Sequence, residues 1–340
     1  MVAKLVRFAV RRSLNDTRHV RVTKRRHASG VVAEVYRQVE HDFKMLAPPV
    51  ALHSASPDTL AASWMILRES LLASGVADRA AKEAVATGVS LANACPYCAD
   101  VHGMTLAAIP DAGDPGVFSE WARASATGPV PAPFGEDVAP ELIGVAVAFQ
   151  YYNRMVNVFL SESPFPSHVP ESAKPKARQV LGGVLRPAPE GARPGTSVRL
   201  LPAVPLPEDL AWAAPRPVIA DAFARAYAAV DAAGTRSVPS RVRALVRSRL
   251  STWDGRPPGI SRSWVEDDVA GLPADEQAAA RLALVIAFAS YQVDDDLVAA
   301  FQRVTPDDAT LVELAAWSSM AAARRISTWL AVPGPSSAAA

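Results

Sequence analysis

Cysteine is almost absent from this chain: 340 residues hold two, Cys95 and Cys98, with two residues between them. That scarcity excludes a secreted scaffold held by disulfides, which needs several spaced pairs. A one-sided charge is also missing. Lys+Arg number 35 and Asp+Glu 34, a net charge of +1, so no nucleic-acid partner is expected. Lysine is scarce, 6 against 29 arginines, a bias that points to a GC-rich bacterial genome. No long apolar run exists. The longest, Leu282 to Ala289, is far too short to span a bilayer, so no membrane association is expected. Residues 1–27 carry nine Lys/Arg and one acid, Asp16; Arg7, Arg11 and Arg12 break up any secretory core. There is no Gly-rich phosphate loop, no G-x-S-x-G and no series of alternating strands. A lone CxxC fits a reducing compartment, so a cytoplasmic protein is expected.

What the sequence does have is helical periodicity. Val32, Val35, Tyr36, Val39 and Phe43 recur at helical spacing. Ser56-Pro57-Asp58 reads as a cap, a first-turn proline and a dipole-favoured acid, and Leu60, Trp64, Leu67 and Leu71 form the stripe that follows. Further helices are expected over 77–94, 96–109, 117–126 and 140–160. Ten prolines between 164 and 207 then mark a change of composition, with one short helix expected around 176–185. Helical pattern resumes near 216–233, 239–252, 274–291 and 306–330. Thr305-Pro306-Asp307-Asp308 repeats the cap signature, and Asp294-Asp295-Asp296 reads as the opening of a helix rather than a metal site.

These patterns predict an all-α protein with two tandem helical domains. The expected division is a basic arm at 1–30, a first domain at 31–161, a proline-rich linker at 162–207, a second domain at 208–331 and a tail at 332–340. The arm is expected to pack on a neighbouring subunit or to stay mobile. The second domain reads as a diverged, thiol-free copy of the first. Trp253-Asp254-Gly255-Arg256 stands about where a copied site would fall, and Arg324 is expected opposite Arg154.

The chemistry concentrates in Cys95-Pro96-Tyr97-Cys98-Ala99-Asp100-Val101-His102. Pro96 suits the first position of a helix, which puts Cys95 at its N-terminus, where backbone N–H groups favour a thiolate. Cys98 and His102 are i and i+4 and share a face, so an imidazole can take the thiol proton. Zinc is the rival reading, with Cys95, Cys98 and His102 as three ligands and Glu83 or water as a fourth. Tyr151 and Tyr152 are expected to pack in the core.

Glu83 followed by C-x-x-C-x-x-x-H resembles the alkylhydroperoxidase D / carboxymuconolactone decarboxylase family, over about residues 31–161. The resemblance implies that Glu83, Cys95, Cys98 and His102 form a catalytic proton-relay site. It also implies that the dithiol reduces a peroxide and that an external dithiol reductant, lipoyl-type or thioredoxin-like, restores it. No bound cofactor and no metal are implied, and a homo-oligomer is. Tyr97 departs from the more polar residue common at that position. Twelve residues of unbroken helix would separate Glu83 from Cys95 by ~18 Å, so the chain must turn back near Ala94 for the site to close. Decarboxylation of a lactone acid and non-enzymatic redox sensing or partner binding are the other two readings.

Overall fold

The computed structural model describes residues 17–110, 113–165, 169, 171–186 and 191–330. Among them every regular element is helical, and the one extended contact is an isolated parallel bridge between Ala73 and Ala192. The all-α expectation therefore holds. Among the described residues no helix is long and apolar enough to cross a membrane.

The first half contains α1 (Gly30–Phe43), α2 (Pro57–Leu67), α3 (Arg79–Ala92), α4 (Pro96–Ala107), α5 (Gly116–Ala124) and α6 (Ala139–Phe159). Helix α7 (Lys174–Leu185) lies in the connecting segment. The second half contains α8 (Pro217–Ser237), α9 (Ser240–Ser251), α10 (Trp264–Val269), α11 (Ala274–Ala289), α12 (Asp295–Val304) and α13 (Asp308–Leu330).

Helix α3, which carries Glu83, is the hub of the first half. It opens on Asp78, whose Oδ1 accepts from the Ala81 N–H at 2.7 Å, a cap worth about 1 kcal/mol. It packs against α4, α5 and α6. A Cβ on Gly88 would meet the Ser119 carbonyl oxygen at 2.2 Å, so glycine is what allows α5 to lie this close to α3.

The two halves share one hydrophobic core. Helix α6 packs along α13, and α2 along α8. Leu284, Ile286 and Phe288 of α11 are buried in it. Polar contacts cross the same seam. Arg154 Nε donates to the Ala287 carbonyl at 3.0 Å, and Ser56 Oγ to Glu313 at 2.9 Å. The described part of the arm also lies on its own chain: Arg18 pairs with Asp295, and the Arg21 N–H donates to Asp308. The expectation for residues 1–16 and for the tail beyond 330 falls outside the described residues.

Ser56 stands at the N-cap of α2 as expected, with Pro57 opening the helix and Asp58 in its first turn, but its hydroxyl is engaged by Thr59 Oγ1 and Glu313 rather than by a backbone N–H of the first turn. One cap expectation needs correcting. Thr305 does not cap α13, because the helix begins at Asp308 and Asp307 Oδ2 accepts from the Thr310 N–H at 2.8 Å. Asp294 does cap α12, through the Leu297 N–H.

The described part of the proline-rich segment is docked along the first half. Helix α7 packs on α4. Buried Glu69 accepts from the Gly195 N–H at 2.7 Å, the Ser197 N–H at 3.0 Å and the Ser197 hydroxyl at 2.6 Å. Arg68 bridges Asp42 and Glu69 and donates to the Arg193 carbonyl.

Candidate functional site

The site is assembled at the junction of α3 and α4. Helix α3 runs out at Ala92, and Ala94 takes φ +46°, a left-handed conformation that L side chains rarely adopt. That single residue reverses the chain. The Cys95 N–H still reaches back to the Ser90 carbonyl at 3.0 Å, and α4 starts at Pro96. A cluster of amides holds the turn against α6. Asn93 donates to Gln150 at 2.9 Å and to Asn153 at 3.1 Å, Asn153 donates to Ser90 at 3.0 Å, and Asn157 donates to the Asn93 carbonyl at 3.2 Å.

The reversal brings α4 alongside α3, and the required closure occurs. His102 Nδ1 lies 2.6 Å from Glu83 Oε2. Glu83 Oε1 is held from the other side by Arg79, at 2.8 Å from Nε and 2.6 Å from Nη2. Glu83 is completely buried. Burial alone would push its carboxyl up, but the Arg79 guanidinium and His102 together hold it below the usual carboxylate range. Glu83 is therefore an anion that accepts from Nδ1–H. That contact fixes the imidazole tautomer and leaves Nε2 as its basic nitrogen. The edge of the His102 ring meets Phe149 at 4.5 Å between centroids, with the planes at 84°, which restrains the ring further.

Cys98 and His102 both line a cavity of about 90 Å³. Its walls are otherwise almost entirely apolar, with Phe43, Val50, Leu67, Val101, Leu181 and Leu185 among them. Cys95 is buried behind Cys98 and does not line it. Both cysteines are free thiols. Burial pushes the Cys98 thiol well above the ordinary range. The neighbouring Cys95 thiol adds to this and the Asn153 carboxamide opposes it. The cysteine that faces the cavity thus rests protonated, one helical turn from His102, which lines the same cavity.

Tyr152 packs in the core as expected and also lines the cavity. Burial raises its hydroxyl out of reach of deprotonation. Tyr151 packs as well, against His53 Nε2 at 2.8 Å. Arg79 is a site residue that the motif does not include, although its i, i+4 spacing to Glu83 is a usable signal. Among the described residues no group of three or more His, Cys, Asp or Glu is arranged to hold a metal.

The second half has no corresponding chemistry at the positions expected. Trp253 donates to the Arg256 carbonyl at 2.7 Å and meets Phe288 edge-on, with the Arg154 guanidinium 5.9 Å above its ring. Arg324 pairs with Asp209 and Asp231, whereas Arg154 bonds only to carbonyl oxygens, of Ala287 and Gln150. The two arginines thus have unlike surroundings.

A protein of Mycobacterium tuberculosis (strain ATCC 25618 / H37Rv) named alkyl hydroperoxide reductase Rv2159c is 40% identical to this chain over 334 residues, which is 92% of this chain and 94% of that one. No family model matches the chain, and no solved structure matches it.

Proposed function

Because this chain belongs to the AhpD-like family of alkyl hydroperoxide reductases, we propose that it is an enzyme that reduces organic hydroperoxides with the Cys95–Cys98 dithiol. The observation that carries this reading is the Glu83–His102 contact at 2.6 Å, standing behind a cavity-facing thiol.

In the proposed cycle His102 Nε2 takes the Cys98 proton as the sulfur attacks the distal peroxide oxygen. The S–O bond forms and the O–O bond breaks. Cys98 becomes a sulfenic acid, oxidised by two electrons, and the leaving alkoxide takes a proton to become an alcohol. The proton comes from His102, which took it from Cys98. Cys95 then condenses with the sulfenic acid, releasing water and forming the disulfide. An external dithiol protein returns the pair to thiols by exchange, supplying two electrons and two protons. Glu83 stabilises the imidazolium formed in the first step, and Arg79 keeps Glu83 ionised.

The apolar cavity supports an alkyl rather than an inorganic peroxide, since the walls offer an organic group apolar contact and leave water few partners. Attack by Cys98 is favoured over attack by Cys95, because only Cys98 lines the cavity. The second half, on this reading, is a thiol-free copy that completes the core of the first.

The test is peroxide consumption with tert-butyl hydroperoxide and a panel of dithiol reductants, run beside thiol counting. Turnover accompanied by the loss of two thiols per chain supports the proposal. Unreactive thiols with no peroxide loss would sink it.

A further inference from the structure

Beside the thiol cavity lies a larger concavity, of about 510 Å³. Six cations line it: Arg37, Lys44, Arg68, Arg79, Arg186 and Arg193. Asp42 is the one carboxylate among its lining residues, and it is already paired with buried Arg68 at 2.8 Å. Arg37 is paired with Glu34 and Arg79 with Glu83. Lys44, Arg186 and Arg193 have no carboxylate partner among the described residues. The Lys44 ammonium donates only to the His41 carbonyl, at 2.8 Å. A concave surface with several unneutralised cations focuses a positive potential and attracts an anion.

This basic concavity and the apolar thiol cavity share two wall residues, Phe43 and Leu185. The chain passes directly from one to the other. Helix α1 ends at Phe43, Lys44 turns left-handed at φ 61°, and Met45 and Ala47 to Val50 go on to form apolar wall. One molecule with an apolar arm and an anionic head matches both spaces at once.

We propose that the basic concavity is a subsite for the carboxylate of a long-chain substrate whose apolar, hydroperoxide-bearing arm lies against Cys98, which makes fatty-acid hydroperoxides the preferred substrate class. The proposal rests on the peroxidase reading of Cys98. The subsite itself does no chemistry. It orients the chain so that the peroxide, rather than the head, meets the thiol. Arginine and lysine suit this task, through forked and point-charge contacts to a carboxylate.

The experiment uses the full chain and the Lys44→Glu/Arg193→Glu double variant, which leaves Glu83, Cys95, Cys98 and His102 in place. Turnover is measured with linoleic acid hydroperoxide, its methyl ester and tert-butyl hydroperoxide, and palmitate binding is measured separately by displacement of a fluorescent fatty acid. The expected result is a KM for the acid roughly tenfold below that of the ester. In the double variant that advantage is lost, while tert-butyl hydroperoxide turnover is unchanged. Equal KM values for acid and ester in both proteins would overturn the subsite and leave the peroxidase reading intact. If no hydroperoxide is consumed, the peroxidase reading fails and the binding arm decides the subsite. Palmitate held by the parent and weakened in the variant supports it; equal or absent binding in both overturns it.

Discussion

Glu83 and His102 are nineteen positions apart in sequence, yet their side chains meet at 2.6 Å. The contact depends on the reversal at Ala94 and on the amides that pin it to α6. Since Glu83 bonds Nδ1, it sets which imidazole nitrogen is free to act. Glu83→Gln is expected to keep the fold and to lower peroxide turnover by roughly 10²–10⁴-fold, the usual range for general acid–base assistance. His102→Ala should give a loss of similar size, and the double variant no more than the larger single loss. Steady-state kinetics on the three proteins, with circular dichroism to check the fold, decides this. Losses that simply multiply would mean the two residues act independently.

The two thiols are expected to differ in role. Cys98→Ser should abolish turnover. Cys95→Ser should consume one equivalent of peroxide and stop, leaving a sulfenic acid that dimedone traps and mass spectrometry locates at Cys98. Trapping at residue 95 in the reciprocal Cys98→Ser variant, with turnover retained, would reverse the assignment.

Burial and the neighbouring Cys95 thiol push Cys98 up from an ordinary thiol value of 9.0. The thiolate is the reactive form, so alkylation of Cys98 by iodoacetamide should be slow at neutral pH and keep rising beyond pH 9. In Cys95→Ser one of the groups that raises it is replaced, and the profile should move to lower pH. A rate already level by pH 7 would show a preformed thiolate.

His53 offers a test of stability against pH. It is fully buried between the Val50 carbonyl and the Tyr151 hydroxyl, and burial lowers its pKa from 6.5 to about 4. In that interval the unfolded chain binds a proton that the folded chain refuses, so stability falls as pH drops from 6.5 and stops falling, from this source, below about 4. The loss is roughly 3 kcal/mol, the free energy of protonation across that interval. Urea midpoints measured across that window should show it. His53→Gln, which cannot titrate, should flatten the slope, and an unchanged slope would assign the acid sensitivity elsewhere.

Deleting residues 208–340 removes α13 from α6 and α8 from α2. It also strips Arg154 of the Ala287 carbonyl and of Trp253. The 1–207 fragment is expected to bind a hydrophobic dye and to aggregate, although every proposed catalytic residue remains. A soluble fragment with a sharp unfolding transition and full activity would show that the second half is a separate module.

Much of this is legible in the sequence, for definable reasons. Cys98 and His102 are neighbours by helical period alone, and the stripes of α1, α2 and α11 announce their burial. The placement of Glu83 is not legible, because alanine gives no sign of a left-handed turn; glycine or asparagine would. The Ser56 cap position is legible, although a long-range partner, Glu313, takes its hydroxyl; Thr305 looks like a cap, but a two-residue shift of the helix start overrides the local pattern. The six residues of α10 are too few to show a period. The prolines of 164–207 read as a spacer, whereas the packing of the described part of that segment depends on contacts such as Glu69 with Ser197, 128 positions apart. No local pattern encodes a contact of that range.

That segment carries a further consequence. Leu181 and Leu185 of α7, with Pro164, furnish one side of the thiol cavity, while the proposed reacting groups stand on α3 and α4. On the proposed function, part of the selectivity is thus written on a different stretch of polypeptide from the reactivity. Substitutions in the joining piece can enlarge, narrow or polarise the chamber without touching the pair of helices that carry the sulfur, the imidazole and the carboxylate. One reaction can in this way be fitted to many peroxides, by tailoring the lining and leaving the machinery alone.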